Sequence, residues 1–280
     1  MEIGICSFSF HRLLAAGKQD IFQYITDCKA LGCTQLDPWN AHLADIKNGD
    51  EVLHAGRNPN ASDHLTAADS DYITRVKAAA DEAGLPFGCI AVDGAHIYDA
   101  DPEKRAANRQ RAYRWLQIAE QLGAKQVRID AGGPEDLPDD VYAIVREGYA
   151  DVIARGREKG VEIMTENHWG PTRLPENCIR MVQDIEGLGL LLDLHNFAPE
   201  RRFAGREICA PYARYIHVKT FDFDAEGNEA TTEERVADGV RVVLDAGYKG
   251  VWGVESMPRD GDEINGARQT IALLHRLVAA

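Results

Sequence analysis

Residues 161–168, Val-Glu-Ile-Met-Thr-Glu-Asn-His, are a short apolar run closed by a carboxylate and an imidazole two positions apart. Three later runs close on a metal-capable side chain in the same way: Asp193 in GLLLDLHN, His217 in RYIHVKTF and Glu255 in GVWGVESM. In a strand, residues i and i+2 share a face, so such tips project polar pairs to one side. The pairs are Asp37 with Trp39, Arg128 with Asp130, Glu166 with His168, Asp193 with His195, and His217 with Lys219. Ionisable groups at successive strand ends are costly unless they pair, coordinate a cation or meet solvent. A closed parallel βα barrel presents its strand C-termini to one mouth in chain order, and its chemistry gathers there.

Working outward, a helix–Gly–strand unit recurs, as in KALGCTQLDPW, EQLGAKQVRID and REKGVEIMTEN. Gly32, Gly84, Gly123, Gly160, Gly187 and Gly247 each suit the left-handed position that ends a helix. Apolar runs after them place strands at 2–8, 34–39, 86–92, 125–130, 161–166, 189–194, 214–219 and 250–255. Helices are expected at 18–31, 71–83, 103–122, 140–159, 175–186, 233–246 and 264–278, with 200–213 short or irregular. Eight units over 280 residues predict one α/β domain spanning 1–280, a (β/α)8 barrel. The rival, a doubly wound open sheet, would not need eight strands, and no GxGxxG follows the first one.

A hydrophobic share of 45% is enough for a full core. The net charge of -14 opposes nucleic acid and anionic membranes, which both select basic surfaces. No apolar run reaches the ~18 residues of a membrane span, and MEIGICSFSF lacks the positive start of a signal peptide. Six cysteines with no CxxC pair suit reduced thiols and a cytoplasmic protein, with Cys6 on the first strand the one candidate catalytic thiol. A homo-oligomer is compatible with this composition.

Glu166, Asp193, His217 and Glu255 offer three anionic oxygens and one nitrogen. That set favours Mn²⁺, with Mg²⁺, Co²⁺ or Zn²⁺ as alternatives, and lacks the thiolates of structural zinc. Singly, a strand-end carboxylate is usually solvated and a buried histidine is usually a satisfied core residue; four in strand order outweigh that. Loops 40–70 and 93–102 lie over the mouth and carry His42, His54, His64 and His96. Trp39 offers an apolar face for sugar C–H groups, or else packs beneath its loop.

On these motifs the chain resembles the xylose-isomerase-like TIM-barrel superfamily, the sugar phosphate isomerase/epimerase group, along essentially its whole length. The resemblance implies one divalent metal held by the residues that match here as Glu166, Asp193, His217 and Glu255. It also implies a small sugar or polyol substrate. Ketose 3-epimerases of that group carry a His three residues after the strand-six Asp and an Arg six after the strand-seven His; here those places hold Asn196 and Phe223. Glu166/His168, Arg128, His217/Lys219 and Trp39/His42 look more like the dehydroshikimate-dehydratase branch, with His195 in place of its shifted strand-six His. Endonuclease IV needs a trinuclear zinc cluster and a basic surface, neither of which this sequence offers.

The resemblance therefore implies an isomerase or epimerase that abstracts a proton next to a carbonyl through a metal-stabilised enediolate. Glu166 and Glu255 would exchange the proton, with His168 and Lys219 also catalytic. Trp39, His42, Arg128 and His195 would contact substrate. A plain ion pair of Lys219 with Asp193 or Asp222 is the alternative for that lysine. A lyase of the same group, dehydrating a keto-polyol or cleaving a 3-oxo-glycoside, is the second reading. A carbohydrate-binding barrel without catalysis is the third.

Overall fold

The computed structural model describes residues 1–44, 70–230 and 235–279. His54 and His64 lie outside them. Among the described residues, seven strands alternate with helices: β1 Ile3–Ile5, β2 Cys89–Val92, β3 Gln126–Ile129, β4 Glu162–Glu166, β5 Leu188–Asp193, β6 Ala213–Val218 and β7 Trp252–Val254. All pair in parallel, in the order β1-β7-β6-β5-β4-β3-β2. The remaining gap, between β1 and β2, is where a strand at 34–39 is expected.

That segment makes single bridges on both sides, Asp37 to Cys6 and Leu36 and Trp39 to Phe87 and Ala91, so it closes the ring without being a regular strand. Pro38 has no N–H to give. The neighbouring amides bond to side chains: Asp37 N donates to Tyr24 Oη at 2.8 Å and Trp39 N to Ser7 Oγ at 2.8 Å. Backbone bonds on both sides satisfy the rest, among them Ser7 N to Asp37 O at 3.1 Å, Leu36 N to Pro86 O at 2.9 Å and Ala91 N to Pro38 O at 3.0 Å.

The described helices are α1 His11–Ala15, α2 Ile21–Ala30, α3 Asn40–Leu43, α4 Ser70–Ala83, α5 Pro102–Leu122, α6 Asp139–Glu158, α7 Pro175–Asp184, α8 Pro199–Cys209, α9 Ala237–Asp245 and α10 Glu263–Val278. Segment 200–213 is thus a regular helix followed by a 3-10 turn, Ala210–Tyr212. Asp20, Asp101 and Asp262 cap α2, α5 and α10 by accepting amide hydrogen bonds in the first turn. All six glycines of the repeat have positive φ, from 69° at Gly123 to 89° at Gly187. No described helix is long and apolar enough to cross a membrane.

Strand residues alternate between two apolar compartments. Leu190, Leu192, Ile216, Val218 and Val254 join the large core with the helices. Met164, Leu191 and Tyr215 form a separate cluster with Cys89, inside the ring. The ring's interior is partly polar rather than filled by Val, Ile and Leu. Tyr215 Oη donates to Asp37, and Gln35 Nε2 and Cys89 N donate to Asp37 Oδ1 at 2.8 Å each. Burial pushes the Asp37 carboxyl up, and bonds from Tyr215, Cys89 and Gln35 pull it back. Asp37 does not point into the mouth as expected: it lies in this interior cluster, where Gly4 leaves it room (a Cβ there would sit 1.5 Å from Asp37 Oδ2).

Candidate metal centre and active site

The register of β5 and β6 creates the site. Leu190 pairs with Ala213 but Leu191 with Tyr215, a one-residue irregularity in β6. It brings Asp193 opposite His217. An uninterrupted register would set Asp193 against Ile216, which faces the helices. On β7, Gly253 pairs with His217, which leaves Glu255 just beyond it at the strand tip.

Glu166, Asp193, His217 and Glu255 are all buried, and one ligand atom of each lies within 4.8 Å of the others. Two atoms bound to one cation at ~2.0–2.4 Å can stand no more than about 4.8 Å apart. His217 Nδ1 lies 3.0 Å from Glu255 Oε2 and 3.4 Å from Glu166 Oε1. Neither approach has hydrogen-bond direction, and Asp193 Oδ2 also lacks a hydrogen bond. Buried carboxylate oxygens and an imidazole nitrogen that converge in this way suit a hard or borderline divalent cation. Burial pulls the His217 imidazole down, but the two glutamates outweigh it and push it up to about 10. Protons and a cation would compete for this nitrogen.

Two basic side chains flank the glutamates. Arg128 Nε is 3.0 Å from Glu166 Oε2, while its Nη1 reaches Asp93 Oδ1 at 2.9 Å and Asp130 Oδ2 at 3.2 Å. Burial opposes its charge, but Asp130, Asp93 and Glu166 hold it on. Lys219 Nζ is 2.8 Å from Glu255 Oε1 and 3.2 Å from Asp193 Oδ2. Burial would neutralise this ammonium too, yet Asp193, Glu255 and Glu166 keep its pKa above the ordinary lysine value. Reciprocally, Lys219 and His217 overcome burial and hold the Glu255 carboxyl well below its usual range. Asp222 pairs instead with Arg259, at 2.7 Å.

His168 Nδ1 lies 3.1 Å from Asp130 Oδ2 and 3.9 Å from Glu166 Oε2, so it belongs to the same mouth. Burial lowers its pKa, but Asp130 and Glu166 leave the net shift upward. His195 donates its amide to Asp193 Oδ1 at 2.6 Å, and its ring packs on Phe221 at 4.9 Å.

Two expected substrate contacts are occupied elsewhere. His42 is buried between Ser7 Oγ, 3.0 Å from Nδ1, and Gln19 Oε1, 3.3 Å from Nε2. Burial, with His11 nearby, lowers its pKa to about 3, which favours the neutral ring. Trp39 is also buried, donating Nε1–H to Asp93 Oδ2 at 2.8 Å. It is linked to Arg128 through Asp93. The His96 loop packs on the loop after β3 through Ile97 N to Asp130 O, 3.1 Å. All six cysteines are free and buried, and burial with the Glu255 charge pushes the Cys6 thiol up, away from nucleophilic use.

Asn196 is the residue that sequence reasoning missed, appearing there only as a departure from the epimerase pattern. Its Oδ1 accepts from Lys219 Nζ at 2.7 Å and its Nδ2 donates to Glu166 Oε1 at 3.3 Å. The signal available was its place three residues after Asp193, since both side chains are set by one turn: Asn196 N donates to Asp193 Oδ1 at 2.9 Å. Asp93 was hidden because it follows β2 with no polar partner in its own run.

No curated protein matches the sequence. Solved structures match in fold. D-allulose 3-epimerase from Methylomonas sp. is 12% identical, with 99% of this chain and 98% of that one covered and a TM-score of 0.71. A probable 3-DHS dehydratase from Bacillus anthracis is 11% identical, covering 98% and 99%, with a TM-score of 0.70. A 3-keto-D-glucoside 4-epimerase from E. coli is 15% identical, covering 92% and 95%, with a TM-score of 0.66. At such identities the likeness is one of fold alone. The model of the xylose isomerase-like TIM barrel family matches residues 26–277, and the chain belongs to that family.

Proposed function

We propose that the protein is a divalent-metal-dependent isomerase or epimerase of a sugar or polyol that carries a carbonyl. The observation that carries this reading is the placement of the two glutamates about His217. Glu166 turns one oxygen toward His217 and the other to Arg128; Glu255 turns one toward His217 and the other to Lys219. Two carboxylates so placed can act as base and conjugate acid on either side of one carbon.

Glu166, Asp193, His217 and Glu255 would hold the cation, Mn²⁺ being the best match to the donors. When bound, it supplies Lewis-acid polarisation of a substrate carbonyl and acidifies the neighbouring C–H. One glutamate takes that proton and the other returns one. Lys219, fixed by Asn196, donates to developing oxyanion charge, and Arg128 holds one oxygen of Glu166 in place. Aligning the acceptor and the donor before reaction is the protein's own contribution.

One observation favours a second reading, a lyase. Asp130 engages His168 through Nδ1, so Nε2 is the atom that would protonate a leaving oxygen. With Mn²⁺ supplied, incubation of ketoses, inososes and 3-oxo-sugars in deuterated water should label one α-carbon. Conserved mass apart from that label marks isomerisation, whereas loss of water marks the lyase. Glu166→Gln and Glu255→Gln should each slow turnover by about 10²-fold or more. Turnover independent of both glutamates would exclude proton transfer by them.

A further inference from the structure

The geometry assigns Trp169 as a stacking platform for the part of the substrate beyond the reacting sugar, and so points to an uncharged glycoside in place of a free monosaccharide. This rests on the sugar reading above and deepens it. Four tryptophans are present; Trp39, Trp115 and Trp252 are 1–2% exposed, whereas Trp169 is 49% exposed. It directly follows the last residue of the mouth motif, and its ring lies 4.6 Å from the His168 ring, tilted 44°. His168 is itself within 3.9 Å of Glu166. The indole is therefore joined to the carboxylate cluster through a single side chain, His168.

The backbone beneath it is tied down. Trp169 O accepts from Thr172 N at 3.3 Å and Thr172 Oγ1 at 3.0 Å. Thr172 Oγ1 accepts in turn from His168 N at 3.1 Å. Gly170, at φ 54°, presses on Gly133 O, where a Cβ would come within 2.4 Å. An indole with two rotatable bonds on a pinned turn loses little entropy when a ligand covers it. Its face suits the C–H face of a pyranose or the ring of an aryl aglycone, both of which offer an apolar plane.

Charge narrows the class. Among the described residues of the ion-pair network, the five carboxylates of Asp93, Asp130, Glu166, Asp193 and Glu255 surround Arg128 and Lys219, with His168 and His217 beside them. Both basic groups are already engaged by carboxylates. A phosphate or carboxylate on the ligand would meet repulsion.

The test is calorimetric titration of the Mn²⁺-loaded full chain with glucose, cellobiose, maltose, sucrose, phenyl β-glucoside and glucose 6-phosphate, with acrylamide quenching of tryptophan fluorescence. At least one glycoside should bind about tenfold or more tightly than glucose and shield the quenchable tryptophan. Trp169→Ala should remove that advantage while glucose affinity stays within about twofold, and Trp169→Phe should keep most of it. Glucose 6-phosphate should bind no more tightly than glucose. No preferred glycoside, or a preference that survives Trp169→Ala in a protein of unchanged melting temperature, overturns the platform; tighter binding of the phosphate overturns the charge argument. Titration needs no turnover, so preferred glycoside binding together with no α-proton exchange in any ketose, inosose or 3-oxo-sugar of the deuterium panel would remove the isomerase reading and leave Trp169 in place.

Discussion

Lys219 Nζ lies 2.8 Å from Glu255 Oε1, and both groups are buried. Removing one partner of such a pair leaves an uncompensated charge. Lys219→Met should destabilise the metal-free protein by roughly 3–5 kcal/mol. The same change removes a positive charge beside the ligand set, so Mn²⁺ should bind about tenfold more tightly or better. Activity should nevertheless drop by about 10²-fold or more, because a donor to the reacting oxygens is gone. Calorimetric metal titration and kcat check the two opposite signs; weaker metal binding would mean Lys219 only holds the ligands in place.

Asp193 has two separable jobs. Oδ1 accepts from His195 N at 2.6 Å and Asn196 N at 2.9 Å, while Oδ2 has no hydrogen bond. Asp193→Asn preserves an acceptor for the turn and should melt near the wild-type metal-free temperature while metal affinity drops 10-fold or more. Asp193→Ala should lose metal and also about 1–3 kcal/mol from two orphaned amides. Equal melting temperatures for the two variants would refute this division.

A Cβ at Gly253 would come within 2.7 Å of Tyr215 Cε1 and 2.8 Å of His217 Cδ2. Gly253→Ala should therefore shift the His217 ring and weaken metal binding by about 10–100-fold without deleting any ligand. Its folding cost should be about 1–3 kcal/mol. Metal affinity unchanged by this substitution would show that His217 is not held where the cation needs it.

His42 carries a pH prediction. Its folded pKa is about 3 against an ordinary 6.5, because burial disfavours the charged ring. The unfolded chain thus binds more protons between these values. The stability it contributes is complete above pH 6.5 and is lost as pH falls toward 3, by at most about 1.4 kcal/mol per pH unit. Urea unfolding at pH 7, 6 and 5 should show the wild type losing ground to His42→Gln as pH drops. A constant difference would place the imidazole in contact with solvent.

The repeat of helix, glycine and apolar run was legible because both periodicities are local: left-handed glycines end helices and alternating faces mark strands. The positions of Glu166, Asp193, His217 and Glu255 were legible for the same reason, each being the tip of its own run. The segment at 34–39 misled in part because Tyr24 and Ser7, distant in sequence, take the amides on either side of Pro38 and leave single bridges instead of a regular strand. Trp39 and His42 looked like mouth residues, yet Asp93, Ser7 and Gln19 claim their nitrogens.

By itself, then, the amino-acid sequence determined the order of the units and the chemistry available at each strand tip, since both depend on neighbours along the chain. Tertiary structure alone decided which tips meet. The one-residue irregularity that sets Asp193 beside His217 is a relation between two strands, and nothing within either run announces it. Asn196 joins Lys219 to Glu166 across three strand ends, and Trp169 stays exposed because Thr172 and Gly133 fix its turn. Hydrogen bonds and close packing between remote segments are set by closure of the ring, which no local pattern encodes.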